Sequence, residues 1–193
     1  MCNNYSFTRP IDAVAQVFRG FGREVAFPEG LPNLAPNEDI RIGDMAPIVT
    51  LDGETANITL RRWGWQGPSG RMVFNYRSEG RFFPAEQRCL IPADAFYEFT
   101  DPSSGGKGRK DRWRFSVQGE EWFWIAGVVR GDAFAMLTDD PGPDVRPYHD
   151  RQVVVLQQRY PGAWFHADPM PSQKGAPRQE ARFGVESSPR SLP

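Results

Sequence analysis

The chain has 193 residues, a mass of 21.8 kDa and a net charge of −1 at pH 7, which suits one domain with a sizeable core. The charge excludes a nonspecific polycation; only three of the 23 basic residues are lysine, and arginine's planar fork suits phosphate, although a genomic preference for arginine gives the same count. Because no apolar stretch reaches the roughly 20 residues that span a bilayer, and a signal-peptide pattern is missing, we expect a cytoplasmic protein.

The first predicted element is a short helix that follows Thr8. Thr8 can cap this helix, and Pro10 suits its first turn because the missing N–H is not needed there. Apolar residues then recur at helical spacing until Gly20 and Gly22, which end the helix. Between residues 24 and 60 the chain is rich in proline and turns, with short extended runs at 39–42 and 48–51.

Strands dominate the rest of the chain. Residues 113–117 alternate between apolar and polar, which predicts a half-buried strand, and the nearly continuous apolar run 122–129 predicts a central one. Further strands are predicted at 134–138 and 153–156, and a short turn or helix near 161–165. The segment 103–108 is rich in glycine and serine and predicts a hairpin loop.

These elements predict an α+β fold that is mainly antiparallel β, with a barrel-like core and a few short helices. We expect residues 1–167 to form a single domain. Residues 168–193 are polar and contain proline, which predicts a C-terminal tail with one last strand near 183–185.

Cys2 directly follows the initiator Met1 and carries the most informative chemistry. Removal of Met1 would leave Cys2 with an α-amine and a thiol on adjacent carbons, an arrangement that traps an aldehyde first as an imine and then as a thiazolidine ring. A terminal amine titrates near pH 8, so roughly a tenth to a fifth is neutral at pH 7. Position alone does not decide the role, since many small residues follow initiator methionines without any function.

Two acid–base candidates lie in apolar surroundings. Strand alternation places Glu98 on the same face as Phe96, and a carboxyl among aromatic rings should have a raised pKa; the alternative is a solvent-facing strand end. His149 lies between a turn and a strand, where a catalytic imidazole is common but a structural histidine is more so.

The other polar candidates are less distinctive. Asn75 could orient an amine through its amide oxygen or simply hold a turn. Cys89 lies in an apolar run and is expected to be a small core residue. Two cysteines and two histidines show no ligand spacing, so we expect no metal, no disulfide and no cofactor.

Several segments in order along the chain resemble the SOS-response-associated peptidase family of abasic-site processing proteins. The cysteine at position 2 together with Asn-x-Arg, Tyr-Glu-Phe and His-Asp-Arg makes the resemblance specific. The matching segments are Met1-Cys2, Asn33-Leu34-Ala35-Pro36, Arg62-Trp63-Gly64, Asn75-Tyr76-Arg77-Ser78-Glu79, the block 88–99, Ala126-Gly127-Val128, Leu137-Thr138 and Asp140-Pro141-Gly142-Pro143, then His149-Asp150-Arg151.

The resemblance implies a protein of the DNA damage response that senses abasic sites in single-stranded DNA and bonds to them covalently. The resemblance also implies that the protein removes its own Met1, as an autopeptidase, and that it has a lyase activity. A monomer is expected. In the roles that the resemblance implies, Cys2 is the nucleophile and Asn75 positions the chain terminus. Glu98 and His149 transfer protons. The DNA contacts are Arg77, Arg151 and Trp63.

Two departures from the family pattern concern DNA contacts. Asn3 and Asn4 stand where the family usually has Gly-Arg, which removes a basic side chain beside the nucleophile and about one phosphate contact. The tryptophan-rich loop after Trp63 is short and altered. Two other functions remain open: a cysteine hydrolase in which His149 activates Cys2 against an amide, and a noncovalent binding module for modified bases.

Overall fold

The structure is a computed structural model that describes residues 2–102, 108–166 and 181–187. Residues 103–107 of the predicted hairpin loop and most of the predicted tail lie outside the described residues. The described elements, in chain order, are β1 (Asn4–Phe7), α1 (Ile11–Gly20), β2 (Glu24–Ala26), β3 (Asn37–Arg41), β4 (Met45–Asp52), β5 (Thr55–Trp63), β6 (Trp65–Gln66), β7 (Met72–Val73), β8 (Asn75–Arg77), a 3₁₀ helix (Ala85–Gln87), β9 (Arg88–Ala93), β10 (Ala95–Thr100), β11 (Asp111–Val117), β12 (Phe123–Arg130), β13 (Ala133–Asp139), β14 (Gln152–Val153), β15 (Val155–Leu156), α2 (Gly162–Phe165) and β16 (Phe183–Ser187).

Two sheets carry the fold. The larger one has nine strands in the order β14-β13-β12-β9-β4-β5-β2, with β15 on β12 and β8 on β13. Because β13 also pairs with β5, five of its strands close into a ring: β13, β12, β9, β4 and β5. The smaller sheet has the order β16-β11-β10-β1-β3. The predicted mainly antiparallel α+β fold is confirmed, and the core takes the form of a ring-like sheet.

Hydrophobic patterning explains the central strands. β12 is buried along most of its length, as its apolar run predicts. On β11 the alternation predicts a polar face, and Phe115 and Val117 are indeed buried, but Arg112 is buried as well. β16 pairs with β11 over five residues, so residues 183–187 belong to the smaller sheet and the predicted last strand is confirmed. The domain boundary at residue 167 stays a prediction.

The predicted helix forms as α1, and its apolar face is buried. Thr8 does not cap it, because Pro10 occupies the cap position without a side-chain hydrogen bond. The backbone N–H and the hydroxyl of Thr8 both donate instead to one carboxylate oxygen of Asp94, and Ser6 donates to the other oxygen at 2.6 Å. Asp94 is only 7% exposed and needs these donors, so the prediction of a Thr8 cap is wrong.

Gly127 marks a close approach between strands of the ring. A Cβ at this position would lie 2.5 Å from Ile91 Cδ1 and 2.9 Å from the carbonyl oxygen of Ala135. We expect Gly127→Ala to lower the free energy of unfolding by about 1–3 kcal/mol in urea titrations, as overpacked cores do. Gly20→Ala is the control, because nothing lies within 4 Å of its Cβ. Equal stability of both variants would contradict the packing argument.

Within the part of the chain that the structure describes, no helix is both long enough and apolar enough to traverse a bilayer.

Candidate active site

Cys2 lies two residues before β1, whose register directs the chain toward β10. The antiparallel pairing of Tyr5 with Phe96 carries the preceding residues of β1 back along β10 in the direction of Glu98. Cys2 is 1% exposed, and its thiol donates to the carbonyl oxygen of Asn4 at 3.3 Å. Burial, assisted by the charge of Glu98, raises the pKa of the thiol to about 12. The thiol is therefore protonated at neutral pH.

Asn75 reaches Cys2 from the other sheet. It is the first residue of β8, which pairs in parallel with β13 of the nine-stranded sheet. Its Nδ2 donates to the carbonyl oxygen of Cys2 at 2.8 Å. Its Oδ1 is buried and has no hydrogen-bond partner among the residues that the structure describes. The amide nitrogen of Asn75 thus holds the main chain of Cys2, and its amide oxygen is a buried hydrogen-bond acceptor.

Glu98 is the buried carboxyl of the site. It lies on β10 and is 1% exposed, so the predicted burial is confirmed and the alternative of a solvent-facing strand end is not. Desolvation by this burial raises its pKa to about 7. At neutral pH the carboxyl therefore exists in both protonation states, which suits a group that gives and takes protons.

His149 faces Glu98 and is held from behind. Its Nε2 lies 4.0 Å from Glu98 Oε2, while its Nδ1 accepts a hydrogen bond from the backbone N–H of Arg151 at 2.9 Å. Burial lowers the pKa of the imidazole, so it is mostly neutral at pH 7. Asp150 Oδ1 lies 2.9 Å from Nδ1 and would stabilise the charged ring.

The two predicted arginine contacts with DNA differ in exposure. Arg77 ends β8, two residues after Asn75, and is exposed. Arg151 is 7% exposed; it forms a two-point ion pair with Glu79 and contacts Asp140 at 3.0 Å and the carbonyl oxygen of Thr138 at 2.8 Å. The hydrogen bond from Arg151 holds the pKa of Glu79 below its usual range. Its charge is thus used inside the protein, unlike the predicted phosphate contact.

Arg151 also bears on metal binding. Glu79, Asp139 and Asp140 bring one carboxylate oxygen each within 4.8 Å of one another. Arg151 already pairs with two of these carboxylates. The guanidinium supplies the positive charge that such a cluster needs.

Trp63 lies in the core rather than on a binding surface. Its ring is fully buried, nearly parallel to Phe134 at 6.4 Å and edge-on to Tyr5 at 5.2 Å. Its indole N–H donates to the carbonyl oxygen of Phe74 at 3.0 Å. Every face of the side chain is therefore occupied, and the predicted DNA contact is corrected to a role in holding β5 against the segment that leads into β8.

The structure brings four predicted residues together at the junction of the two sheets. Asn75 contacts Cys2, Glu98 acts electrostatically on the Cys2 thiol, and His149 faces Glu98. Sequence reasoning missed Asp150, whose only signal was its position next to His149. The arrangement places a buried, protonated thiol close to an amide, a buried carboxyl and an imidazole.

Comparison with known proteins identifies the family. Residues 1–183 match the family model described as SOS response associated peptidase (SRAP), so the chain belongs to that family. Two Bacillus subtilis (strain 168) proteins are similar along most of their length. Abasic site processing protein YobE is 24% identical over 86% of this chain and 82% of its own, and abasic site processing protein YoaM is 25% identical over 86% and 79%.

Solved structures share the fold. A phage-related protein from Bordetella bronchiseptica superposes with a TM-score of 0.69 at 20% identity, covering 98% of this chain and 95% of that one. A Bacteroides thetaiotaomicron protein gives a TM-score of 0.66 at 15% identity, covering 96% and 91%. These similarities confirm the two-sheet architecture.

Proposed function

We propose that the mature protein processes abasic sites in single-stranded DNA by forming a thiazolidine crosslink through Cys2. Membership in the family and the names of the two Bacillus relatives support abasic sites as the substrate class. The observation that carries the proposal is the placement of Cys2, whose carbonyl oxygen is held by Asn75 and whose thiol lies within the field of Glu98.

The reaction begins with the amine that removal of Met1 exposes. A ring-opened abasic deoxyribose presents an aldehyde at C1′, and the neutral α-amine of Cys2 adds to it. The buried Oδ1 of Asn75 accepts an N–H of this amine and directs its lone pair toward the aldehyde carbon. Asn75 thereby fixes both the carbonyl group and the amine of the nucleophilic residue.

Two groups then move protons. Glu98, with its pKa raised by burial to about 7, donates a proton to the hydroxyl that leaves the carbinolamine as water, which gives the imine. The carboxylate that this leaves regains a proton from the charged form of His149 through Nε2, and the ring keeps its other proton on Nδ1, beside Asp150 Oδ1. The Cys2 sulfur next bonds to the imine carbon while its proton passes to the imine nitrogen, which closes the thiazolidine. Positioned acids and bases of this kind contribute roughly 10²–10⁴-fold.

The alternative cysteine hydrolase requires a thiolate. Burial raises the pKa of the Cys2 thiol to about 12, and the thiol donates to a backbone carbonyl oxygen rather than to His149. An amine-first reaction needs no thiolate, because sulfur attacks only after the imine has formed. The state of the thiol therefore favours aldehyde capture over peptide hydrolysis.

The test compares two single-stranded oligonucleotides that differ only in the aldehyde. One carries an abasic site, and the other carries the same site after borohydride reduction to the alcohol. We expect a heat-stable band of higher mass on a denaturing gel with the first oligonucleotide alone. Equal noncovalent binding of both oligonucleotides, without a covalent band, would favour a binding module. Cleavage of peptides, without a covalent band, would favour the hydrolase.

Arg77 is proposed as a phosphate contact because it is exposed on the strand that carries Asn75. We expect Arg77→Ala to weaken binding to single-stranded DNA and to reduce the slope of log K against log salt by about 0.7, one phosphate contact. Fluorescence anisotropy over a salt series measures this slope. Arg19→Ala is the control, since Arg19 pairs with Asp12 on α1. An unchanged slope for Arg77→Ala would remove this contact.

The finer expectations remain proposals with the same site. They are removal of Met1 by the protein itself, a lyase activity on the abasic strand, a monomeric state, a cytoplasmic location and a role in the SOS response. Removal of Met1 is the first of these in time, because the amine of Cys2 must be free before any adduct forms.

A further inference from the structure

A buried polar cluster lies beside the nucleophile and outside the residues that the mechanism uses. It joins Asn4 on β1, Asp39 on β3, and Tyr97 and Arg112 on β10 and β11. Asn4 is 4% exposed and Arg112 is 7% exposed. β1 lies between β3 and β10 in the sheet, so the cluster spans four neighbouring strands.

Asn4 is held by both ends of its amide. Its Nδ2 donates to Asp39 Oδ1 at 2.6 Å and to the carbonyl oxygen of Ile40 at 3.1 Å. Its Oδ1 accepts a hydrogen bond from Arg112 at 2.7 Å. A side chain with three such bonds has a single orientation, and its backbone follows.

Arg112 is held in turn by charge and by an aromatic face. Its guanidinium lies 3.6 Å above the ring of Tyr97 and 3.6 Å from Asp39 Oδ1. Although desolvation opposes the charge of Asp39, hydrogen bonds from Arg41 and Asn4 keep the pKa of this carboxyl below its usual value. A buried guanidinium needs such a carboxylate, and its planar shape suits stacking in a way that lysine does not match.

The cluster acts on Cys2 through one backbone atom. The carbonyl oxygen of Asn4 accepts the hydrogen bond from the Cys2 thiol at 3.3 Å. Asn4 stands where the family pattern usually has arginine, and here a guanidinium reaches the same residue from β11. The side chain of Asn4 is locked by Arg112 and Asp39, so the direction of its carbonyl group is locked too.

We propose that Arg112 is a positioning residue which, through Asn4, sets the direction of the Cys2 sulfur for closure of the thiazolidine ring. This inference rests on the proposed function. In ring closure the S–H proton passes to the imine nitrogen as the S–C1′ bond forms and the C=N double bond becomes single. Arg112 touches neither substrate nor the reacting atoms; it fixes the starting position of the sulfur.

The experiment separates the two chemical steps in Met1-free protein mixed with abasic single-stranded DNA. Borohydride traps the imine, and heat resistance without borohydride reports the ring. For Arg112→Met and Asn4→Ala we expect the ratio of trapped imine to ring to rise by about tenfold, because misplaced reacting groups slow closure. Arg112→Lys keeps the charge and should restore part of the wild-type ratio.

Arg114→Met is the matched control. Arg114 is also on β11, but its side chain is 31% exposed and lies 3.9 Å from Glu186, whereas the hydrogen bond to Asn4 comes from Arg112. We expect its imine-to-ring ratio to stay within about twofold of wild type. A wild-type ratio in folded Asn4→Ala, even if Arg112→Met does not fold, would overturn the proposal.

A second readout does not depend on DNA. Alkylation of the Cys2 thiol by iodoacetamide, followed by peptide mass spectrometry, should be slow in the wild type, where Cys2 is 1% exposed. We expect it to be about tenfold faster in Arg112→Met and Asn4→Ala and unchanged in Arg114→Met. If wild-type protein formed no adduct with abasic DNA, the proposed function would fail, while the alkylation rates would still decide whether Arg112 positions the thiol.

Discussion

Cys2→Ala is expected to abolish the heat-stable adduct with abasic single-stranded DNA. Alanine keeps the terminal amine and can still form an imine, but it has no sulfur to close the ring. Borohydride should therefore trap an adduct with the variant, whereas without borohydride heating should leave only free DNA on a denaturing gel. A full yield of heat-stable adduct from the variant would rule out the thiazolidine.

Cys89→Ala provides the matched control for loss of a thiol. Cys89 is fully buried within β9, and the proposed mechanism gives it no role. We expect this variant to crosslink at the wild-type rate. Loss of the adduct in Cys89→Ala alone would assign the covalent chemistry to Cys89 instead of Cys2.

Glu98→Gln is expected to slow formation of the imine by roughly 10²–10⁴-fold, because glutamine cannot donate a proton to the departing water. Rates are measured by quenching with borohydride at intervals. Glu86→Gln is the control, since Glu86 is an exposed carboxyl on the 3₁₀ helix. Wild-type rates in Glu98→Gln would remove this carboxyl from the mechanism.

The rate of imine formation should depend on pH differently in the wild type and in Glu98→Gln. The wild-type reaction needs both a neutral amine and a protonated Glu98. The neutral fraction of the amine increases as the pH rises toward the amine pKa of about 8. Because burial raises the pKa of Glu98 to about 7, the acid is lost as pH rises through 7. The wild-type profile should therefore be bell-shaped, while Glu98→Gln should show only the rising limb.

Stability should change with pH over a related window. The pKa of Glu98 is raised from 4.5 to about 7, so the folded state keeps a proton that the unfolded chain releases. Its contribution is fully present below pH 4.5 and is lost as pH rises through 7. Relative to Glu98→Gln, we expect the free energy of unfolding to fall by about 3 kcal/mol across this range in urea titrations. A parallel pH dependence of the two proteins would contradict the burial argument.

Patterns within single segments predicted much of the fold. The helical spacing of Ile11 and Phe18 gives α1, and the apolar run 122–129 gives β12, because periodicity and burial are local properties. Partners far apart in sequence decided the exceptions. Thr8 donates hydrogen bonds to Asp94 instead of capping the helix. Arg112 is buried because it hydrogen-bonds to Asn4 and pairs with Asp39 across the sheet.

The site depended on family resemblance more than on physical pattern. Cys2, Asn75, Glu98 and His149 are widely separated, and only the pairing of two sheets brings them together. Motif matching could not distinguish exposed Arg77 from ion-paired Arg151, since both follow from short motifs of similar form. Arg151 is buried because it pairs with Glu79 and Asp140, and no local sequence pattern shows these pairings.

The intact mass of the adduct tests the central claim most directly. The thiazolidine scheme predicts the mass of the protein without Met1 plus that of the abasic oligonucleotide minus one water. It also predicts that borohydride adds no hydrogen, since the ring has no C=N bond. Retention of Met1 on every crosslinked molecule, or an adduct that gains two hydrogens on reduction, would contradict the account.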